Sequence, residues 1–280
     1  MEIRATTKPA GESSADTIAV GVFDGESIDH DVEGGALAAL LDSGEARPSF
    51  KHLAVTHAQN RRWVLVGLGE RDKFDAERAR VVAGLVQARA KELSTRSLCW
   101  QLPRDVDDSI AAGLVEGTVL AAYAFDRYKA APSEDDEEEG DRRGRLDELT
   151  VAADRDLTPV VDAARVESDA QNAARDLQNT PANDMTPTRL GERAQELAAE
   201  IDGLEAQVEG RDGILERGMG AFAAVAQGTH QEPALITLRY DGPGARGPRL
   251  GFVGSTIAAI FLGARFLRCR SAGKRCYDLC

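Results

Sequence analysis

At 280 residues and 30.0 kDa the chain has room for one large domain or two of ordinary size. Forty-seven acidic residues against 34 basic ones give a net charge of −13 and a pI near 4.9. That balance excludes the basic footprint needed for a nucleic-acid backbone or an anionic membrane surface. Aromatics make up only 5% of the chain against 42% hydrophobic residues overall, so Ala, Val, Leu and Ile must supply the core.

In chain order, Thr17–Phe23 is a continuous apolar run that predicts a strand, as do residues 53–56 and 63–67. Over 78–93, Val81, Val82, Leu85 and Val86 recur at helical spacing. Residues 97–102 predict a further strand, and 110–123 an Ala-rich helix carrying Leu114, Val115 and Leu120. Strands separated by helices imply an α/β domain with a mostly parallel sheet. Around 133–141 a run of Asp and Glu repels itself and can bury nothing, which predicts a solvated acidic loop. Residues 146–153 are expected to return to the sheet. Pro159 is suited to the first turn of a long helix running through Val166, Ala170, Ala173 and Leu177. That helix, over 156–178, would link a first domain of residues 1–155 to a second one.

The second domain opens on a turn-rich segment in which Asn179, Asn183 and Asp184 read as turn and cap residues. Pro187 then starts a helix through Leu190, Ala194 and Leu197. A short strand at 206–208, a short helix at 213–218 and a strand at 234–240 follow, and 250–254 reads as a buried strand. No internal repeat is visible.

The amino terminus has no apolar stretch of the kind a secretory signal needs. The longest uncharged stretch, 250–264, is shorter than the roughly 20 residues of a spanning helix. Of four cysteines, Cys269, Cys276 and Cys280 crowd the end without zinc-site spacing, and Cys99 reads as a small buried hydrophobe. A cytoplasmic location is expected. Only six of the 34 cationic residues are lysines, so an acidic, lysine-poor surface points to a high-salt interior where screening removes self-repulsion. His30, His52, His57 and His230 are scattered and read as surface or turn histidines. Gly67-Leu-Gly69 reads as a tight turn rather than a phosphate loop, because the dinucleotide fingerprint lacks its third glycine.

Several segments in order resemble the leucyl aminopeptidase family, the cytosolic two-metal exopeptidases. They are Val64-Leu-Val-Gly-Leu-Gly-Glu70, residues 116–129, residues 174–187 with their Asn-Thr-Pro-Ala-Asn-Asp-Met-Thr-Pro run, and residues 219–229 followed by 233–240. The resemblance implies a macro-like N-terminal domain and the N-terminal part of a zinc-peptidase-like α/β catalytic domain. It also implies peptide substrates shortened from the amino end, a homo-hexamer, and two Mn or Zn ions per subunit. In such a pair one ion polarises the scissile carbonyl while both hold a hydroxide nucleophile.

After Leu250-Gly-Phe-Val-Gly254 the family continues Lys-Gly-x-Thr-Phe-Asp-(Ser/Thr)-Gly-Gly, and this chain departs from it. The family's first metal-binding Lys falls on Ser255, its metal-binding Asp on Ile260 and its catalytic Lys on Leu267, so no catalytic residue is assigned. Tyr277-Asp-Leu-Cys280 returns to the family's Tyr-Asp-Met-Cys and makes Asp278 a candidate metal ligand. Five basic residues (Arg265, Arg268, Arg270, Lys274, Arg275) precede Asp278 in a protein that is otherwise acidic. The later family motif Asn-Thr-Asp-Ala-Glu-Gly-Arg has no counterpart in these 280 residues. The expectation is an incomplete catalytic domain over 179–254 and an aberrant basic tail over 255–280, arising from a local change of reading frame. On that expectation the metals are not bound and the chain is inactive as written. The alternatives are a non-catalytic macro-like binding or assembly module and, as a minor one, a membrane-associating tail.

Overall fold

The computed structural model describes residues 1–32, 34–129, 145–244, 250–257 and 260–267. Its first unit, Met1–Ala174, runs β1 (Glu2–Thr6), β2 (Thr17–Phe23), α1 (Ala36–Asp42), β3 (Leu53–Ala58), β4 (Arg61–Gly69), α2 (Ala76–Glu92), β5 (Ser97–Gln101), α3 (Asp108–Ala122), β6 (Glu148–Ala152) and α4 (Thr158–Asn179). The last of these continues into the second unit, Arg175–Cys280.

The six strands form one sheet in the order β1-β6-β5-β2-β4-β3, parallel throughout except for the antiparallel edge pair β3–β4. Both faces of its centre are covered, which is why β2 and β4 read as apolar runs rather than alternations. Successive side chains of a strand point to opposite faces, and the two cores follow that rule. Ala19 and Phe23 of β2, Val64, Val66 and Leu68 of β4, and Leu98 and Trp100 of β5 enter one core. Ile18, Val20 and Val22, Trp63 and Leu65, and Cys99 enter the other. The first core is roofed by α2, α3 and the start of α4, and the second by Leu37 and Leu40 of α1.

Small residues let α2 and α3 approach closely. A Cβ added to Gly113 would lie 2.5 Å from the Ala76 carbonyl oxygen, and one on Gly117 2.2 Å from that of Arg80. Contact positions rise together along the two helices, so they run parallel, as helices that each return to parallel strands must. Asp75 caps α2, its carboxylate accepting from the Arg78 amide at 2.9 Å.

In the second unit β7 (Leu204–Glu209) pairs antiparallel with β8 (Leu235–Tyr240). Helix α5 (Pro187–Glu200) begins with Pro187 in its first turn and Thr186 as its cap, and its Gly191 sits against Val208 of β7. Two short helices, α6 (Arg211–Glu216) and α7 (Gly220–Val225), follow β7. Strand β9 (Gly251–Ile257) pairs antiparallel with β10 (Ile260–Leu267).

The α/β class and the predicted strands and helices therefore appear in order. Among the described residues, the strands β1 and β10 and the α-helices α1 and α7 were not foreseen. The long helix expected over 156–178 is present as α4, which buries Val161, Ala164 and Ser168 and leaves Val166 58% exposed, because its N-terminal turns are the ones that meet the core. One expectation about these elements is corrected. The 250–254 segment forms a strand but is not buried: Leu250, Phe252 and Val253 are all exposed, since among the described residues β9 pairs with β10 alone and a two-stranded ribbon leaves faces uncovered. The acidic loop expected near 133–141 lies outside the described residues.

Candidate functional site

In open α/β sheets, ligands lodge beyond the carboxyl ends of the parallel strands, where connections leave to opposite faces. Here the connection after β2 leads to α1 on one face, and those after β4 and β5 lead to α2 and α3 on the other. The loops at that end bring together Glu26, Asp29 and His30 after β2, Arg71 after β4, Arg104 and Asp105 after β5, and Asp154 and Arg155 after β6.

Arg71 ties three of these loops. Its guanidinium grips Glu26 with two hydrogen bonds of 2.7 Å each, donates to the Arg104 carbonyl at 3.0 Å, and lies 4.1 Å from the centre of the Phe23 ring. The hydrogen bond from Arg71 holds the Glu26 carboxyl below its ordinary range and in return raises the guanidinium. Both side chains are more than a third exposed, so solvent screening leaves the pair worth no more than about 1 kcal/mol. Arg155 is likewise engaged, donating to the Val106 carbonyl at 2.7 Å and to Asp108 at 2.9 Å. Around it an open depression of about 700 Å³ is lined by Asp105, Val106, Asp107, Asp108, Ser109 and Asp154. Burial lowers the His30 pKa, with Arg104 acting the same way against Asp29 and Asp154. The cluster offers carboxylates and engaged guanidiniums, and no paired nucleophile and base.

Gly67 and Gly69 are part of β4, neither a tight turn nor a phosphate cradle. A Cβ on Gly67 would lie 2.2 Å from the Ser49 carbonyl oxygen, so the chain's own 47–50 segment fills the space beside that glycine. The Gly67 and Gly69 amides donate to His52 and Pro48 carbonyls, both at 2.8 Å. Cys99 is fully buried, and desolvation pushes its thiol up to about 11, which fits an inert core residue. His52, His57 and His230 are exposed.

In the second unit the turn-rich segment folds as its residues suggest: Asp184 and Met185 donate to the Pro181 carbonyl, Asn183 donates to the Asp184 carboxylate at 3.4 Å, and Thr186 rather than an Asn caps α5. Ser255 lies opposite Leu262, Ile260 opposite Ile257 and Leu267 opposite Gly251 in the β9–β10 ladder. Asp278, with Cys269, Cys276 and Cys280, lies outside the described residues. Among the described residues no three His, Cys, Asp or Glu side chains are grouped to hold a metal ion, and no helix is long and apolar enough to cross a membrane. The ion-paired loop cluster escaped sequence reading because Glu26 and Arg71 are 45 positions apart and share no motif.

The N-terminal domain of the cytosol aminopeptidase family matches residues 12–132, and the catalytic domain of the same family matches residues 172–259. A probable cytosol aminopeptidase of Solibacter usitatus is 34% identical over 264 residues, covering 92% of this chain and 52% of that protein. One of Roseiflexus castenholzii is 31% identical, with 91% and 52% covered. The chain thus spans about half the length of the curated relatives it matches. In fold, it matches a mutant of tomato leucine aminopeptidase with a TM-score of 0.72 at 19% identity, over 88% of this chain and 52% of that one. The bottromycin maturation enzyme BotP in complex with Mn matches with a TM-score of 0.66 at 25% identity, over 82% and 46%. Two family domains in their expected order, both on the fold described above, place this chain in the cytosol aminopeptidase family.

Proposed function

We propose that residues 1–254 of the polypeptide are built to serve metal-dependent removal of amino-terminal residues from peptides, the activity its family name denotes. Residues 1–155 supply the macro-like domain, 156–178 the linking helix and 179–254 the first part of the catalytic domain. The ordered match of both family domains is the observation that supports this reading. A homo-hexamer and a cytoplasmic location belong to the same proposal. The first unit's role in it is architectural: at the carboxyl end of its sheet the guanidiniums of Arg71 and Arg155 are engaged by the chain's own carboxylates and carbonyls.

The test is a chimera that joins residues 1–254 to the continuation of the Solibacter usitatus relative. With Mn added, it is expected to hydrolyse a leucyl amide. A folded, metal-loaded chimera that cleaves no aminoacyl amide or dipeptide would contradict the reading.

A further inference from the structure

We infer that this chain, as its sequence stands, holds no two-metal centre, and that residues 255–267 are the reason. The inference rests on the family reading above, which sets the ligand positions, but its content is the donor chemistry of this chain. A divalent ion needs deprotonated or lone-pair donors that repay the loss of its hydration. Ser255 offers one neutral hydroxyl, and Ile260 and Leu267 offer no donor of any kind. Backbone placement argues the same way. All three positions sit in a paired ladder, Ser255 across from Leu262, Ile260 from Ile257 and Leu267 from Gly251. In that ladder the three positions fall on different rungs rather than side by side. Within the same stretch of sequence Arg265 adds a positive charge and no acidic residue offsets it. Asp278 falls on the family's metal-binding Asp and is the only side-chain carboxylate that residues 255–280 supply. The family's metal chemistry therefore has no purchase on this segment, and the chain's contribution lies in its N-terminal unit, its linking helix and its 179–254 segment.

The direct measurement is metal content. The purified 280-residue chain, equilibrated with Mn and separately with Zn and then desalted, is analysed for bound ions, and its unfolding temperature is followed with and without each metal. No stoichiometric ion and no metal-dependent rise in unfolding temperature are expected, because a ligand stabilises only the state it binds. The chimera serves as the folded control and is expected to retain ions under the same treatment. Stoichiometric Mn or Zn on the 280-residue chain would overturn the inference. So would a folded chimera that is equally metal-free, since the fault would then lie upstream of residue 255. A metal-loaded but inactive chimera would instead strike at the family function and leave this inference standing.

Discussion

In the first unit Leu65, Leu68, Trp100 and Leu114 are no more than 2% exposed, whereas in the second Leu238, Tyr240, Leu250, Phe252 and Val253 are 48 to 63% exposed. The segments that carry these residues have much the same apolar character. What differs is the number of covered faces: β2, β4 and β5 have strands on both sides and helices or loops over both faces, while β8 and β9 each belong to a two-stranded ribbon. Apolar sequence makes a strand, and burial requires neighbours that the strand does not itself encode. Apolar side chains left in water become a site of association or aggregation where they gather into a patch.

Substitutions should separate the two regions sharply. Trp100→Ala is expected to destabilise the first unit by about 3–5 kcal/mol in urea unfolding, by loss of buried area and creation of a cavity. Tyr240→Ala, nominally as severe, should stay within about 0.5 kcal/mol in the same measurement because its ring is already largely in water. A Tyr240→Ala cost near that of Trp100→Ala would erase the distinction.

Gly117→Ala should cost about 1–3 kcal/mol, since the new methyl would meet the Arg80 carbonyl and drive α3 away from α2. Gly220→Ala, with nothing within 4 Å of the added carbon, should be close to neutral. Net charge sharpens the comparison further. If the acidic excess is an adaptation to salt, raising KCl from about 0.1 to about 2 M should raise the unfolding temperature as screening relieves self-repulsion. A flat response would remove the high-salt reading.

The smallest effect is on pH dependence. Burial lowers the His30 pKa, so the unfolded chain takes up that proton more readily than the folded one. Its contribution to stability is whole above the ordinary imidazole value of 6.5 and is lost as pH falls below it through the lowered folded value. Replacing it, His30→Gln, should flatten that part of the stability curve and leave the neutral-pH value little changed. Glu26 acts at lower pH: its depressed carboxyl stabilises above 4.5, and that stabilisation is lost as pH falls through its folded value.

Much of this architecture was legible because its signals are local. The apolar run at Thr17–Phe23, the helical spacing of Val82 and Val86, and the Thr186-Pro187 start of α5 each fix an element by nearby residues. The missed elements have non-local causes. Strand β1 alternates polar and apolar residues on a sheet edge and is defined by its pairing with β6. Helix α1 has only seven residues and is capped from outside by Asp31, whose carboxylate accepts from the Leu37 and Ala38 amides. The family was legible from motif order. The Arg71 tie was not, because loops distant in sequence meet only once the sheet has formed.

Hydrogen exchange along the 280-residue chain tests the contrast between the two units most directly. Amides of β2, β4 and β5 are expected to exchange only through unfolding of the whole first unit, while those of β7 and β8 exchange orders of magnitude faster. Equal protection in the two sets would contradict it, because the second unit would then be as well covered as the first.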